Sequence, residues 1–479
     1  MAVDYTFREV GAEYPSEGKP SGGYAVQDYL DSVHRAESFI ERNRHDLADG
    51  VHWEGAESDA KDVTWYDGTA GILYYYLTAY VNTGDSRYLQ SVRESARYLA
   101  RHWRDLLEEP PATFTPDLAS GYYHGVGGVG ALLIEAYKVL GDKGIAQTTR
   151  EIADWYVHNV RHDDLGAYWN GVPASISDGG VILYLIEQAE TIGDDDGSLR
   201  RLVIDAGERL LGYGEDTGDG GLKFNALRGR RDIYQPSFEF GTAGAGYILA
   251  ALYEFTDDSR YLEAAKRAGV HLRSLFVEQP GGGALVPWGF DANGDSVLGE
   301  DGKTLLYTGV CLGAAGIEKY YYKLYAVTGE RHYLDDARSL AQGLISSGAP
   351  LRQTNGLWNS VCYCCGHAGI VHVFAGLYAA TRDELYKRIA LEASDVLVAW
   401  GEPLSGDAED WPIAYNRVDP HTITRKIGYW DGAAGIAAAL RQASYLRGGE
   451  GVVLRLRDDP FPRKISQNRH HINVEKEKS

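Results

Sequence analysis

The 479-residue sequence is poor in cysteine and methionine, and it contains no long apolar run. Four cysteines are too few for a disulfide scaffold in so long a chain. No window of eighteen residues is continuously apolar, which argues against a membrane-spanning helix, and the first two dozen residues lack the order of a signal peptide. Acidic residues outnumber basic ones by 68 to 47, so the surface would repel nucleic acid and anionic lipid. We therefore expect a cytoplasmic protein that binds neither nucleic acid nor membrane.

Glycine is abundant instead, with 58 residues, and it marks an internal repeat. The first glycines of the repeats run from Gly68 to Gly432, which is 364 residues in six steps, a mean of about sixty. That period is longer than the 33 to 47 residues typical of helical-hairpin solenoids, but it accommodates two helices and generous loops. Seven glycine-containing segments each open an apolar run: 65–77, 121–134, 174–186, 238–252, 308–320, 362–377 and 429–440.

Amphipathic stretches alternate with the glycine segments. Their apolar residues recur at intervals of three and four, as in a helix buried on one side. They cover residues 25–43, 85–103, 148–160, 198–211, 258–275, 330–344 and 384–400. Helices that are apolar all round belong inside and one-sided helices outside, so the pattern predicts an all-α protein, an α/α toroid of about seven inner and seven outer helices. We predict a toroid over residues 25–445, an N-terminal segment 1–24 and a polar C-terminal tail 446–479.

Three cysteines occupy equivalent places in the repeat. Cys311, Cys364 and Cys365 lie one or two residues before the first glycine of their segments, which would bring them to one end of the toroid. Thiolates bind Zn²⁺ tetrahedrally, and three protein ligands leave a fourth position open. A helix N-terminus would also lower the pKa of these thiols. Two alternatives remain: Cys362 as a fourth ligand, which would close a structural site, or a vicinal disulfide between Cys364 and Cys365.

The charge of such a centre discriminates between reactions. Zn²⁺ with three thiolates has a net charge of −1, so it is a poor Lewis acid for carbonyls and a weak activator of water. A substrate thiolate in the open position would stay electron-rich. The sequence therefore favours thiol alkylation over hydrolysis.

The motifs Cys-x-Gly-x-x-Gly in the fifth repeat and Cys-Cys-Gly-x-Ala-Gly in the sixth resemble those of the lanthionine synthetase C-like family. The resemblance covers roughly residues 25–445 and implies a double ring of seven helices each, with one zinc held by two cysteines and a histidine. Here Cys365 stands at the histidine position, as in those relatives that carry Cys-Cys-Gly.

The resemblance also implies a reaction and a substrate. Family cyclases add a cysteine thiol to dehydroalanine or dehydrobutyrine in a modified peptide, which gives lanthionine or methyllanthionine. A separate dehydratase or kinase would have to prepare the electrophile. The acid–base positions of the family differ in this chain: Phe240 replaces a histidine, Pro173 aligns with an aspartate, and Tyr307 and Leu312 stand where arginine and tyrosine are expected.

Other ionisable residues are candidates for acid–base catalysis. His124 precedes its glycine as the family histidine does, although in the second repeat, and Asp178 is a carboxylate of the third. His367 lies two residues after Cys365 and is a candidate acid, ligand or ligand-bound donor. Each histidine has a structural alternative as a packed side chain. Asp67 and Asp431 form a matched pair for which N-capping is the simplest role and substrate contact the other.

Two further functions stay open at this point. A carbohydrate-active α/α toroid would use some of the 34 tyrosines and 10 tryptophans to stack sugars, with Asp67, Asp178 or Asp431 as acids. A non-catalytic, zinc-stabilised binding protein would explain the missing acid–base residues. Zinc content separates the carbohydrate hypothesis from the other two.

Overall fold

The computed structural model describes residues 22–55, 62–110, 118–227, 232–299, 302–351, 360–414 and 423–465. None of the helices in these ranges is long and apolar enough to cross a membrane. The helices are α1 Val26–Glu41, α2 Thr69–Thr83, α3 Ser86–His102, α4 Asp105–Glu108, α5 Val126–Leu140, α6 Lys143–His158, α7 Asp178–Thr191, α8 Ser198–Gly212, α9 Thr242–Thr256, α10 Ser259–Ser274, α11 Ala314–Thr328, α12 Arg331–Ser346, α13 His367–Thr381, α14 Glu384–Trp400 and α15 Ala433–Gly448.

The described helices form two concentric rings. The inner helices are α2, α5, α7, α9, α11, α13 and α15; each contacts the next, and α15 contacts α2, so the ring closes. Six inner helices pack against the outer helix that follows them, and α15 packs against α1. The predicted α/α toroid of seven inner and seven outer helices is thus confirmed, and the first helix completes the outer ring.

Local sequence explains where the helices begin. Four outer helices start after an aspartate whose carboxylate accepts the N–H two residues later, which satisfies a helix-end donor; these are Asp85, Asp142, Asp258 and Asp383. The inner helices start at the repeat glycines, or at Asp178 in the third repeat. A Cβ on Gly435 would lie 1.9 Å from the Tyr429 carbonyl oxygen, and one on Gly316 would lie 2.1 Å from that of Val310. Only glycine allows the preceding loop to lie this close to the first helical turn.

Short antiparallel strands lie in the connections between helices. They pair as β1 Arg44–Leu47 with β2 Gly50–Trp53, β3 Arg161–Asp163 with β4 Gly166–Tyr168, β5 Glu215–Asp216 with β6 Leu222–Lys223, β7 Ile233–Tyr234 with β10 Phe290–Asp291, β8 Val277–Glu278 with β9 Ala284–Leu285, β11 Glu402–Leu404 with β12 Ala408–Asp410, and β13 Ile413–Ala414 with β14 Ile423–Thr424. They lie between an outer helix and the inner helix that follows it, and they are not part of the two helical rings.

The loops that precede the seven inner helices are joined in a closed circle, which we call the loop ring. Each loop donates a backbone N–H to a carbonyl of the next loop, so the end of every inner helix is fixed relative to its neighbours. The bonds run from Tyr66 to Tyr123 (3.0 Å), Tyr122 to Ile176 (2.9 Å), Ile176 to Glu239 (3.4 Å), Glu239 to Cys311 (3.1 Å), Cys311 to Cys364 (3.3 Å), Cys364 to Trp430 (2.9 Å) and Trp430 back to Tyr66 (2.9 Å).

The C-terminal segment departs from the prediction of a polar tail. Helix α15 continues to Gly448, and residues 449–465, which we call the C-terminal plug, fold back inside the inner ring. Their apolar side chains, Val453, Leu454, Leu456, Phe461 and Ile465, are buried. These side chains fill the central space that the ring of inner helices leaves. The sequence pattern did not predict their burial, because the few apolar residues are spread among charged ones. Residues 466–479 and the N-terminal residues 1–21 lie outside the described ranges.

Candidate metal centre

Three cysteine side chains converge on the loop ring. Cys311 and Cys364 lie two residues before the N-cap glycines of α11 and α13, and Cys365 lies one residue before. The three sulfurs lie within 4.8 Å of one another. Cys365 Sγ is 3.5 Å from Cys311 Sγ and 3.3 Å from Cys364 Sγ. Cys311 and Cys364 are buried and Cys365 is partly exposed, so the group is open on the side of Cys365.

The donor set fits one zinc ion. Sulfurs bound tetrahedrally at about 2.3 Å from Zn²⁺ are roughly 3.8 Å apart, and a small outward movement of these side chains reaches that spacing. All four cysteines are free thiols, so the vicinal disulfide is not present. Cys362 stands outside the group of three, and its Sγ is 2.9 Å from Ser360 Oγ. The described residues thus offer three sulfur ligands and a fourth, open position.

The thiols have a different electrostatic environment from the one expected at helix N-termini. Burial raises the pKa of Cys311 well above its ordinary value, and the hydrogen bond with Cys311 does the same to the pKa of Cys364. Three sulfurs so close together, two of them in buried cysteines, resist carrying negative charge. A bound divalent cation removes this penalty because thiolates then neutralise its charge.

Carboxylates surround the sulfurs on the loop ring. Glu239 is buried with one carboxylate oxygen that no described group hydrogen-bonds, and burial, with Asp431 adding to it, raises its pKa to about 8. Burial raises the pKa of Asp431 to about 6, against the opposing effect of Lys426. Lys426 Nζ lies 2.5 Å from Asp67 Oδ2 and 3.6 Å from Asp431 Oδ2.

Asp67 and Asp431 do not cap their helices, contrary to their simplest interpretation. The N-cap residues of α2 and α15 are Gly68 and Gly432, and neither helix has a side-chain cap. The two carboxylates instead flank Lys426. Asp431 Oδ1 also accepts from the Tyr66 hydroxyl at 3.3 Å.

Aromatic rings form a floor beneath these polar groups. Trp430 contacts Tyr123, Tyr363 and Trp65 with ring centroids 4.5, 5.1 and 5.7 Å apart, and it stacks on Tyr66 at 5.5 Å. Such a floor excludes water from below and lowers the local dielectric constant, which strengthens the electrostatic interactions of the site.

His124 lies on the loop ring, as its repeat position predicts. Its ring is 4.2 Å from that of Tyr66, and burial, assisted by the charge of Lys426, lowers its pKa to about 3. The imidazole is therefore neutral at pH 7. The catalytic role predicted for His124 stays a prediction.

The side chains of Asp178 and His367 hydrogen-bond to backbone groups of nearby loops. The Asp178 carboxylate accepts N–H groups of Trp169, Asn170 and Gly171 at 2.9 to 3.4 Å, and burial raises its pKa to about 6. His367 Nδ1 lies 2.8 Å from the Ser360 carbonyl oxygen, and Nε2 lies 3.0 Å from that of Pro350. These contacts favour roles in holding loops, so the structure unites the three predicted cysteines but does not bring these two side chains to them.

The residues at one equivalent position of the seven loops divide the loop ring into two sides. The residue immediately before the helix N-cap is polar in four consecutive repeats and apolar in the other three. The polar side comprises Cys365, Asp431, Asp67 and His124, and the apolar side comprises Ile176, Phe240 and Leu312. The glycine pattern of the repeats does not reveal this division. The residue at this one position, followed from repeat to repeat around the circle, marks Asp431 as the neighbour of Cys365.

A family model for lanthionine synthetase C-like proteins matches residues 59–446. The chain belongs to this family. Among solved structures, nisin cyclase superposes on this family member with a TM-score of 0.57, at 15% identity, over 88% of this chain and 98% of that chain. The fold is thus shared with nisin cyclase.

Two other solved structures give lower scores. Cellobiose 2-epimerase from Spirochaeta thermophila gives a TM-score of 0.45 at 13% identity over 88% of this chain and 96% of that chain. An inactive variant of an α-1,6-mannanase from Salegentibacter gives 0.43 at 14% identity, over 73% and 97% of the two chains. A sequence comparison with curated proteins gives no match.

Proposed function

We propose that this protein is a zinc enzyme that adds a cysteine thiol to dehydroalanine or dehydrobutyrine in a modified peptide and so forms lanthionine or methyllanthionine. The observation that carries the proposal is the convergence of Cys311, Cys364 and Cys365, with Cys365 partly exposed. Membership of the lanthionine synthetase C-like family supports it.

Zinc bound by these sulfurs would hold an incoming thiol as its thiolate and keep that sulfur nucleophilic. Because three thiolates outweigh the charge of the ion, the site is poorly suited to hydrolysis. The chain's own residues then have three tasks: to hold the electrophile, to exclude water and to move one proton. The aromatic floor excludes water from below, and Phe240 and Leu312 offer a partly exposed apolar edge on which the carbon skeleton of a dehydroamino acid can rest.

The substrate is proposed from the chemistry of the site. Thiol addition needs an activated alkene, and a dehydroamino acid in a peptide supplies one once a separate dehydratase or kinase has prepared it. Carbohydrate chemistry, the alternative from sequence, would leave the three cysteines without a role. The other alternative, a zinc-stabilised binding protein, is an outcome of the experiment below.

Metal content and thioether formation test the proposal together. Purified protein should contain about one zinc per chain, and Cys365→Ala should contain almost none. Incubated with a peptide that carries dehydroalanine and cysteine, the wild-type protein should remove the free thiol, measured as loss of alkylation without a change in peptide mass. An added thiol such as glutathione should instead increase the mass of a dehydroalanine peptide that lacks cysteine.

Cys362→Ala is the matched control, because this cysteine lies in the same loop but outside the group of three. It should retain zinc. Zinc in the wild-type protein without consumption of any thiol would support the binding-protein alternative, and absence of zinc would overturn the proposal.

A further inference from the structure

Thiol addition creates a proton-transfer problem that the expected residues do not solve. When sulfur bonds to the β-carbon, the electron pair of the alkene moves onto the α-carbon and its carbonyl, and the α-carbon must gain a proton. Phe240 and Leu312 cannot donate one, Asp178 is bound to its loop, and burial lowers the pKa of His124 to about 3, which makes its imidazole a poor acceptor for the thiol proton. Another group near the sulfurs must therefore transfer this proton.

Asp431 occupies the place next to Cys365 on the loop ring. Both residues immediately precede the N-cap glycine of an inner helix, α15 and α13, and these two helices are neighbours. The Cys364 N–H donates to the Trp430 carbonyl oxygen at 2.9 Å, which fixes the two loops side by side. The Cys362 thiol interacts with both Cys365 and Asp431, so the carboxylate lies on the same side of the ring as the exposed sulfur.

Its surroundings hold Asp431 without covering it. Tyr66 and Lys426 approach different carboxylate oxygens, at 3.3 and 3.6 Å. Of its side chain, 24% stays exposed, whereas the matching carboxylate of Asp67 has 7% exposed and lies 2.5 Å from Lys426. The two aspartates thus share a motif but differ in access: Asp67 is buried in a close ion pair with Lys426, whereas Asp431 lies farther from Lys426 and stays partly exposed.

We propose that Asp431 is the residue that carries the proton from the incoming thiol to the α-carbon of the product, with Tyr66 and Lys426 as its positioning residues. This inference rests on the proposed function. The carboxylate accepts the proton that the thiol loses; the S–C bond forms as the alkene π bond breaks, and the carboxylic acid then gives the same proton to the α-carbon. Thiol and alkene are consumed and only the thioether is formed, so Asp431 ends as it began.

Groups that face Asp431 from the neighbouring elements are consistent with this task. Lys426 precedes α15, Tyr66 and Asp67 precede α2, Cys362 precedes α13, and Glu239, which precedes α9, interacts through its charge. One cation opposite several acidic groups leaves the carboxylate able to exist in both protonation states.

The test uses Asp431→Asn, which keeps size but cannot carry a proton, with Asp431→Glu as the conservative variant and Asp67→Asn as the matched control. Wild-type activity is established first. Asp431→Asn should retain zinc, the cobalt–thiolate absorption of the Co²⁺-substituted protein and its melting temperature. Its kcat should fall about 10²–10⁴-fold with little change in KM, and Asp431→Glu should recover part of it.

The configuration of the product gives a readout that a structural role would not alter. In D₂O, wild-type protein and Asp67→Asn should place deuterium on one face of the α-carbon, whereas Asp431→Asn should give both configurations because water then protonates either face. Asp431→Asn with kcat within threefold of wild type, or with a single configuration, would overturn the assignment while leaving the proposed function standing. A wild-type protein that forms no thioether would overturn both.

Discussion

The loop ring lies at the N-terminal ends of the inner helices and the C-terminal plug lies inside the same ring, and their carboxylates Glu239 and Asp459 have pKa values shifted in opposite directions. At the loop ring, Glu239 and Asp431 have raised pKa values, and one carboxylate oxygen of Glu239 has no hydrogen-bond partner among the described residues. In the plug, Asp459 accepts from both Arg455 and His372 at 2.5 Å, and although burial opposes them, these partners lower its pKa.

The difference separates the proposed reactive region from a stabilising one. Lys319 on α11 and Tyr123 on the loop ring both contact Asp458, so the plug reaches the underside of the aromatic floor. Partnered charges fix the position of the plug, and this fixed base supports groups above it that are held in less stable environments. Strained or under-partnered groups persist only where the rest of the fold over-determines their position.

The largest effect should come from breaking the ion pairs of the plug. Asp459→Ala leaves Arg455 buried, 3.0 Å from His372, without a counter-charge. We expect a loss of about 3–5 kcal/mol in the free energy of unfolding, because an unpaired buried charge is costly. Urea denaturation measures it. Asp431→Asn, at a partly exposed carboxylate, should cost less than about 1 kcal/mol; equal losses in the two variants would end the proposed distinction between the regions.

The glycines of the loop ring should give the next largest effect. Gly435→Ala places a Cβ against the Tyr429 carbonyl oxygen, so the seventh loop must move away from α15. We expect a loss of about 1–3 kcal/mol, as for other overpacked positions. Gly448→Ala, in the last turn of the same helix, meets no atom within 4 Å and should be neutral or stabilising by up to about 1 kcal/mol. Equal changes in the free energy of unfolding for the two variants, measured by urea denaturation, would show that the loop ring does not depend on close packing at Gly435.

Sequence alone identified the loop ring far better than the plug. Glycine spacing and apolar runs recur seven times, so the two helical rings and the positions of Cys311, Cys364 and Cys365 followed from periodicity. The plug occurs once, has no repeat partner and mixes Arg455 and Asp459 with its apolar residues. Nothing in the sequence shows that these charges meet each other and His372 on α13, 83 to 87 residues away.

The acid–base residues show a second limit of sequence patterns. His124, Asp178 and His367 all lie near repeat glycines, but only His124 lies on the polar side of the loop ring. A shift of one or two residues turns the side chains of the other two to neighbouring loops. His367 begins α13 and faces carbonyl groups, whereas Cys365, two residues earlier, faces the other sulfurs. Around a closed ring, the neighbour of a residue lies one repeat away, which is why Asp431 and Cys365 occupy adjacent positions on the loop ring.

Acidification should remove the stabilising contribution of Glu187, which binds Arg457 of the C-terminal plug. Lys138 and Arg457 bind this carboxylate and, against the effect of burial, lower its pKa to about 2. A lowered pKa means that the ionised group stabilises the fold above its ordinary pKa of 4.5, and that this contribution is lost as pH falls from 4.5 to 2. Glu187→Gln should therefore cost about 1–2 kcal/mol at pH 7 and progressively less below pH 4.5. Urea titrations of both proteins at several pH values measure the difference, and a constant cost at all pH values would contradict it.

The smallest effect at neutral pH should come from His124 on the loop ring. Because its pKa is lowered to about 3, the folded state keeps it neutral while the unfolded chain protonates near 6.5, so wild-type stability should fall by up to about 1.4 kcal/mol per pH unit as pH drops from 6.5 to 3. His124→Gln removes this contribution and should differ by less than about 1 kcal/mol at pH 7. If Asp431 carries the proton, His124→Gln should also keep one product configuration, with kcat reduced less than tenfold. Loss of that configuration would make His124 the donor, and the neutral imidazole beside Tyr66 would then have to gain its proton only after the substrate binds.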